Sequence, residues 1–387
     1  MNPTTHVGAA TEAGYSPGLE GVIAGESALC QVDEGTAGLR YCGYAIGDLA
    51  QWSSFEEVAY LLLHGHLPSR KELDDFCAIV AGLRVLPEQV EQMLDGVRDA
   101  MHPMDVLRTG ISCLGLNDSD AQDSSHDANL RKSIRLMAQI PLLVAEAHHR
   151  VRRAPVIRPD PANTFAQNLL RLVTGRAGDA RADAMARVLN VSLILYAEHE
   201  FNASTFSARV AASTLTDLHG AITAAVAALK GPLHGGANEA VAAMLIDIGK
   251  PDRAASWVRD ALAQKRRVMG FGHRVLRQGD ARSVIIQQHA ERLSRVCGEP
   301  RWYEIATIVD RMMQEEKGLS PNLDFYTGVA YLVMGIPRDL YTPLFVCSRI
   351  TGWCAHVIEQ QDHNRLIRPR ARYIGPPPRA YEPLDRR

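Results

Sequence analysis

The segment Ser69-Arg-Lys-Glu-Leu-Asp-Asp-Phe-Cys-Ala-Ile-Val-Ala-Gly-Leu83 carries the pattern that decides the fold class. Its first four residues form a capping box, in which Ser69 and Glu72 can bond to the free backbone amides at the start of a helix. Apolar side chains then recur every three or four residues, at Leu73, Phe76, Cys77, Val80 and Leu83. This spacing predicts an amphipathic helix with one buried face.

The same helical periodicity covers most of the remaining chain. A second capping box begins at Ser54, and the apolar runs 184–196 and 206–229 each predict a long, largely buried helix. The second run stops at Gly231-Pro232, a pair typical of a helix end. Alternating strand patterns are scarce, and 39–44 is the best candidate. The sequence therefore predicts an all-α protein.

Two polar stretches and a tail interrupt this pattern. Residues 117–129 are rich in Asp and Ser, and residues 152–163 are rich in Arg and Pro. These compositions predict surface loops between helices rather than domain linkers. From Gly375 onward the chain is rich in Pro and charge, which predicts a tail outside the globule.

The charge composition excludes one class of partner. The 387 residues include 42 Lys and Arg against 44 Asp and Glu, which gives a net charge of −2. A general nucleic-acid-binding protein would show a strong basic excess. Only six of the 42 basic residues are Lys. Codon preference accounts for most of this bias, but Arg can also grip carboxylates or phosphates with two parallel bonds, which Lys cannot do.

Cysteine usage and hydropathy indicate the compartment. The seven cysteines are scattered and form no C-x-x-C pair, which favours reduced thiols in the cytoplasm. No apolar run approaches the ~18 residues that a membrane helix needs. The first basic residue is Arg40, so an Arg-rich or secretory leader is not expected. We expect a cytoplasmic protein without membrane contacts.

Three histidines have unusual neighbours. His199 lies in Glu-His-Glu-Phe-Asn-Ala-Ser (198–204), His234 in Gly-Pro-Leu-His-Gly-Gly-Ala-Asn-Glu (231–239), and His273 in Met-Gly-Phe-Gly-His-Arg (269–274). A lone histidine of this kind is more often a structural hydrogen-bonding group, but three such positions together favour a site. No H-E-x-x-H spacing occurs, so a metal-dependent hydrolase has little support. The other histidines, such as His148, His149 and His363, are expected to be solvated.

One carboxylate has few polar neighbours. Asp324 lies in the stretch Pro-Asn-Leu-Asp-Phe-Tyr (321–326). Burial there would raise its pKa and make it a better base. The alternative is that Asp324 caps the N-terminus of a helix, a position that Asp also favours.

Four motifs in this order resemble those of one family. They are His-Glu-x-Asn-Ala-Ser-Thr at 199–205, Gly-Pro-Leu-His-Gly-Gly-Ala-Asn-Glu at 231–239, Gly-Phe-Gly-His-Arg-Val at 270–275 and Asn-Leu-Asp-Phe-Tyr at 322–326. The chain resembles the citrate synthases, in particular the short bacterial group that includes 2-methylcitrate synthases. The match runs from Gly18 to Pro369. It implies an all-α, two-domain homodimer that closes on its substrates, with a large domain of residues 1–230 and 335–387 and a smaller mobile domain of residues 231–334.

The resemblance also implies roles for individual residues. The implied catalytic trio is His234, His273 and Asp324. The implied oxaloacetate ligands are His199, Arg282, Arg349, a weakly matched Arg84, and Arg368 lent by the partner subunit. The implied coenzyme A loop is Arg266, Arg267, Val268, Met269 and Gly270. One departure is Cys42, which stands where the family usually has Arg.

The implied activity is that of an acyltransferase of the tricarboxylic acid cycle, citrate synthase. It joins acetyl-CoA to oxaloacetate and hydrolyses the thioester, with no permanently bound cofactor. The close alternative is 2-methylcitrate synthase, which uses propionyl-CoA; a catalytically silent helical binding protein is a remote one. In our hypothesis Asp324 is the base and His234 a neutral donor, whose pKa is kept low by the positive end of a helix.

Overall fold

The computed structural model describes residues 15–32, 38–98, 101–272 and 280–387. In these ranges the chain forms sixteen α-helices and three short strands, which confirms the all-α prediction. The helices are α1 Ile46–Trp52, α2 Phe55–His64, α3 Arg70–Gly82, α4 Glu88–Asp95, α5 Pro103–Leu116, α6 His126–Val151, α7 Phe165–Thr174, α8 Ala180–Tyr196, α9 Ala203–Ala212, α10 Leu218–Leu229, α11 Ala237–Ile248, α12 Pro251–Ala263, α13 Ala281–Cys297, α14 Pro300–Lys317, α15 Leu323–Met334 and α16 Tyr341–Asp362. The strands are β1 Cys30–Val32, β2 Leu39–Tyr41 and β3 Tyr44–Ala45.

Both predicted capping boxes are present. The Ser54 side chain accepts a hydrogen bond from the Glu57 amide, and the Glu57 carboxylate accepts one from the Ser54 amide. Ser69 and Glu72 repeat this arrangement at the start of α3. The polar loop predicted over 152–163 lies between α6 and α7, as expected. The one predicted over 117–129 lies between α5 and α6 but ends earlier, because α6 already begins at His126.

The predicted helix over 206–229 is wrong, because two helices occupy this stretch. The chain turns between α9 and α10, where Leu215 adopts a left-handed φ of 64°. The Asp217 side chain then accepts a hydrogen bond of 2.9 Å from the Gly220 amide and starts α10. The apolar pattern continues across the turn, which is why periodicity alone missed it.

The predicted strand at 39–44 is confirmed as part of a small antiparallel sheet. The strand order is β1-β2-β3, and Cys42 and Gly43 form the turn between β2 and β3. Cys42 has a φ of 46° and is half-buried. The buried Tyr41 hydroxyl donates to the carbonyl of Glu198 at 2.9 Å. The sheet therefore holds the segment that follows α8.

Helix α16 is the centre of the core. Almost every residue from Tyr341 to Ile358 is buried, and α16 packs against α2, α6, α8, α9 and α10. The Ser348 hydroxyl on this helix donates to the Leu193 carbonyl in α8. The core also covers His148 and His149, so the expectation that they are solvated is wrong. His149 bonds the Leu172 carbonyl at 2.7 Å, whereas His363 is exposed as expected.

Residues 27–366 form one compact unit, and the described terminal segments 15–26 and 367–387 form another. Within the terminal unit, the Arg372 guanidinium lies 5.2 Å from the centre of the Tyr15 ring. From Gly375 the tail is exposed and largely irregular.

Across the described ranges, every helix falls short of the length or apolarity that crossing a bilayer requires. The division at residues 230 and 335 stays a prediction.

Gly352 in α16 is a point where the core tolerates no side chain. A Cβ there would collide with the Glu198 carboxylate and the Ala197 carbonyl. We expect Gly352→Ala to lower the free energy of unfolding by about 3 kcal/mol, because overpacking a rigid core forces backbone shifts. Gly47→Ala in α1 is the control, because no atom lies near its added methyl and its φ is ordinary. Denaturant melts in which Gly352→Ala is as stable as wild type would contradict this packing.

Candidate active site

His234 lies in a tight turn between α10 and α11. Its amide donates to the Gly231 carbonyl at 2.9 Å, and the Gly235 amide donates to the Leu229 carbonyl at 2.9 Å. A Cβ at position 235 would collide with the Leu229 carbonyl oxygen. The chain can therefore form this turn only with glycine at that position. The turn that carries the His234 ring thus explains the glycine at position 235.

The ring of His234 is held by the start of α9. The backbone amide of Ser204 lies 3.3 Å from Nε2, and the Ser204 hydroxyl lies 2.8 Å from the same nitrogen. The indole of Trp353 donates to that hydroxyl at 3.2 Å. The same amide also donates to Asn202 Oδ1 at 3.2 Å, and the Ser204 hydroxyl lies 2.7 Å from that oxygen. The amide contact with Nε2 can run only from the N–H to the ring nitrogen, which indicates that Nε2 is the acceptor. A neutral ring then carries its proton on Nδ1.

Burial keeps His234 neutral. It lowers the pKa of the imidazole from 6.5 to about 4, and the positive charge of Arg349 adds to the effect. The hypothesis of a low pKa is therefore confirmed, but its cause differs. His234 lies in the turn three residues before α11 begins, and desolvation rather than a helix dipole is the main cause.

Asp324 lies in the first turn of α15. The alternative that it caps this helix is wrong, because the side chain of Asn322 is the cap and accepts from the Asp324 amide at 3.1 Å. One oxygen of Asp324 accepts a hydrogen bond of 2.6 Å from the buried Tyr196 hydroxyl. Burial raises the pKa of Asp324 from 3.8 to about 6, while Tyr196 and Arg282 oppose the rise. This carboxyl group can both take up and release a proton near neutral pH.

The segment 266–272 is attached to the start of α15. The Asn322 amide donates to the Gly270 carbonyl at 2.9 Å, and its side chain donates to the Gly272 carbonyl at 3.1 Å. Gly270 has a φ of 85°, and a Cβ there would lie 2.8 Å from atoms of Phe325 and Val241. A ligand bound to this segment would therefore lie at a fixed position relative to Asp324.

Within this segment the basic side chains face solvent while Val268 is buried. The Arg266 guanidinium lies 5.1 Å from the centre of the Trp257 ring, and its Nε donates to the Gln264 side chain at 3.1 Å. Arg267 is also exposed. Two cations thus stand beside the segment that leads to Asp324.

Arg282 is buried and paired with Asp280. Its Nε and one terminal nitrogen each donate to the carboxylate at 2.9 Å, and the other terminal nitrogen lies 3.5 Å from the Leu195 carbonyl. Asp280 also accepts from the Leu323 amide at 3.2 Å. Arg282 is therefore fixed next to the residue that precedes Asp324.

Arg349 is the second buried arginine at the site and is only 2 % exposed. Its Nε donates to the Tyr196 carbonyl at 2.6 Å, and its guanidinium lies 4.8 Å from the centre of the Phe345 ring. Its charge contributes to the low pKa of His234 and opposes the high pKa of Asp324. Arg349 thus bonds Tyr196, which also bonds Asp324, and its charge reaches His234. These four residues form the cluster at the candidate site.

His199 lies in the turn between α8 and α9 and is buried. Its carbonyl accepts from the Asn202 side chain at 3.3 Å. The same side chain caps α9 by accepting from the Ser204 and Thr205 amides. Because Ser204 holds the His234 ring, one capping motif links both histidines.

The described contacts do not test the predicted roles of three other site residues. His273 lies outside the described residues. Arg368 is exposed and belongs to the terminal unit. Arg84 lines a cavity of about 10 Å³ between α6 and α7, and its charge interacts with the buried Glu56, so the structure gives its predicted substrate contact no support. The described residues contain no group of three or more His, Cys, Asp or Glu side chains placed to hold a metal ion.

The family follows from comparison with known proteins. The sequence model of the citrate synthase C-terminal domain matches residues 18–370. The chain belongs to the citrate synthase family. It is 44 % identical to citrate synthase 2 of Bacillus subtilis over 96 % of this chain and 98 % of that one, and 45 % identical to a 2-methylcitrate synthase of Mycobacterium tuberculosis over 92 % and 90 %.

Solved structures agree with this assignment. A citrate synthase from Thermoplasma acidophilum, solved with carboxymethyl coenzyme A and oxaloacetate, superposes with a TM-score of 0.88 at 34 % identity, covering 96 % of this chain and 99 % of that one. The enzyme from Pyrobaculum aerophilum gives 0.87 at 36 % identity, covering 95 % and 94 %. The chain is thus an enzyme of the acyltransferase type found in this family.

The sequence analysis missed three residues of this citrate synthase-family site: Tyr196, Ser204 and Asp280. Tyr196 ends an apolar helix, where a hydroxyl needs a partner, and this was a usable signal. Ser204 lies within the motif at 199–205, but the sequence analysis assigned it no role. Asp280 stands two residues before Arg282, but pairing at that spacing depends on the turn that starts α13.

The Tyr196 hydrogen bond should set the pKa of Asp324. Tyr196→Phe removes a donor that favours the carboxylate, so we expect the pKa to rise above 6. Aspartate labelled with ¹³C at the carboxyl carbon, with the Asp324 signal assigned by its loss in Asp324→Asn, measures this directly. Tyr331→Phe is the matched control, because that hydroxyl also joins α8 to α15, through Ser192 at 2.8 Å. An unchanged Asp324 pKa in Tyr196→Phe would contradict the electrostatic account.

Proposed function

We propose that the chain condenses an acyl-CoA with oxaloacetate and then hydrolyses the thioester, releasing coenzyme A. The observation that carries this proposal is a base, Asp324, with a raised pKa in the same cluster as a neutral imidazole, His234. This combination suits removal of a proton next to a carbonyl group. Metal-free acid–base chemistry of this kind requires no resident cofactor, and the coenzyme A thioester is the substrate.

The acid–base step needs both groups. The α-proton of a thioester is far less acidic than a carboxylic acid, so Asp324 alone could not remove it at a useful rate. The Nδ1–H of His234 donates to the thioester oxygen as negative charge develops there. A preorganised donor of this kind contributes about 3–4 kcal/mol to the transition state. Asp324 takes the proton, and the enol carbon becomes the nucleophile.

The electrophile is the ketone carbon of oxaloacetate. His273 donates to the ketone oxygen as the new carbon–carbon bond turns it into an alkoxide. Oxaloacetate carries two carboxylates, so its pocket must supply about two compensating charges. Arg282, Arg349 and Arg368 are the proposed ligands of these carboxylates, with His199 beside them. Because Asp280 already balances the charge of Arg282, Arg349 and Arg368 supply the net positive charge. Water then cleaves the thioester to a carboxylate and free coenzyme A.

The partner subunit completes the pocket in this proposal. Arg368 is exposed in the single chain, which suits a residue that acts in a second active site. The protein would then be a homodimer, with residues 231–334 as the mobile domain that closes to exclude water. Arg266 and Arg267 are placed to meet coenzyme A phosphates. The scattered, reduced cysteines support a location in the cytoplasm, where the tricarboxylic acid cycle of bacteria operates.

The acyl group is acetyl in the main proposal, which gives citrate. Propionyl, which gives 2-methylcitrate, is the second candidate, because relatives of both kinds are about equally similar to this chain. The two substrates differ by one methyl group in an apolar pocket, which is worth about 1–3 kcal/mol. We therefore expect measurable turnover of both.

A thiol-release assay tests the proposal. Wild-type protein should release coenzyme A from acetyl-CoA or propionyl-CoA only when oxaloacetate is present. Asp324→Asn should lower turnover by about 10³-fold, because the base is lost, while oxaloacetate still binds. Lys71→Ala in α3 is the control and should be unaffected, because Lys71 is exposed and pairs with Asp75 on the same helix. Absence of oxaloacetate-dependent release with every acyl-CoA would overturn the proposed function.

A further inference from the structure

A buried polar pair lies beside the proposed site and takes no part in the chemistry above. Glu198 and His356 are both 0 % exposed, and one carboxylate oxygen lies 2.9 Å from Nε2 of the imidazole. The other carboxylate oxygen packs against Gly352 and has no hydrogen-bond partner among the described residues. A buried carboxylate is costly, so it requires a reason.

The direction of this hydrogen bond is fixed from the other side of the ring. A terminal nitrogen of Arg209 lies 2.9 Å from Nδ1 of His356. A guanidinium can only donate, so Nδ1 accepts, and the Nε2–H of a neutral ring donates to Glu198. Arg209 is itself held by Glu359 at 2.6 Å and by Gln360 at 3.1 Å. The imidazole is thereby locked in one tautomer.

The pair joins the two elements that carry proposed oxaloacetate ligands. Glu198 directly precedes His199, and its carbonyl accepts from the Tyr41 hydroxyl at 2.9 Å. His356 lies seven residues after Arg349, two turns along the same helix, α16. The bond between the two side chains therefore ties the His199 turn to the Arg349 helix.

Glu198 also balances charge. Burial alone would raise its pKa, but the hydrogen bond from His356 and the positive charge of Arg349 outweigh this effect and hold the pKa below its ordinary value. In return, the Glu198 carboxylate counters the fall that burial imposes on the pKa of Arg349. Arg349 is thus kept charged before any substrate arrives.

We propose that Glu198 and His356 are positioning residues, which set His199 and Arg349 at the separation that a small dicarboxylate needs. This inference rests on the proposed function, because it assumes that His199 and Arg349 bind oxaloacetate. In this proposal neither Glu198 nor His356 contacts the substrate. It predicts an effect on oxaloacetate affinity that is separate from acyl-CoA affinity.

Two amide variants separate positioning from packing. In His356→Gln the amide nitrogen lies near the position of Nε2 and can still donate to Glu198. In His356→Asn the amide lies near the position of Nδ1 and can reach Arg209 but not Glu198. We expect the KM for oxaloacetate to rise about tenfold in His356→Asn and less than threefold in His356→Gln. The KM for acyl-CoA at saturating oxaloacetate should change less than twofold in both.

A third variant controls for the loss of any buried histidine. His149→Asn removes the hydrogen bond to the Leu172 carbonyl in α7, away from the proposed ligands. It should lower the melting temperature without changing either KM. If His356→Asn does not fold, Glu198→Ser removes the acceptor instead and has the same expected result.

The outcomes are distinct. A wild-type KM for oxaloacetate in His356→Asn, or an equal rise in the Asn and Gln variants, would overturn the positioning role while leaving the proposed function intact. If wild-type protein releases no coenzyme A, the proposed function fails instead. Calorimetric oxaloacetate binding to the same variants then still tests the pair, because it needs no turnover. Weakened binding in His356→Asn alone supports the inference.

Discussion

The backbone amide of Ser204 donates to Nε2 of His234, and the direction of this bond fixes how the site works. Because the amide cannot accept, the ring proton is on Nδ1, and burial holds the pKa near 4 so that the ring stays neutral. A charged imidazolium would be a stronger acid but would lose a proton to a neighbouring base. A neutral donor polarises a carbonyl without giving up its proton, which is what an enol-forming step needs.

The same low-polarity setting has an opposite effect on Asp324. Desolvation disfavours charge, so it lowers the pKa of a histidine and raises the pKa of a carboxylic acid. The two groups differ in their partners, because Tyr196 donates to Asp324 whereas Ser204 donates to His234. Buried ions are tolerated where each has a counter-charge, as in the pair of Arg282 with Asp280. Desolvation thus sets the direction of both pKa shifts, and the hydrogen bond from Tyr196 opposes the shift of Asp324.

Local patterns predicted much of this structure. The capping boxes at Ser54 and Ser69 locate helix starts because their hydrogen bonds lie within four residues. The helix end before His234 was predicted from Gly231-Pro232, and the contact of Gly235 with Leu229 explains the turn that follows. The break at Leu215 was missed, because an apolar pattern persists through a left-handed residue. The cause of the low His234 pKa was also missed, since burial depends on α9 and α16, which are distant in sequence.

The most direct test of the account is the protonation state of His234. Histidine labelled with ¹⁵N, with the His234 signals assigned by their loss in His234→Gln, reports both ring nitrogens across a pH titration. The account predicts a neutral ring with its proton on Nδ1, unchanged from pH 8 down to about pH 5. A ring protonated on Nε2, or one that becomes an imidazolium near the ordinary pKa of 6.5, would contradict it.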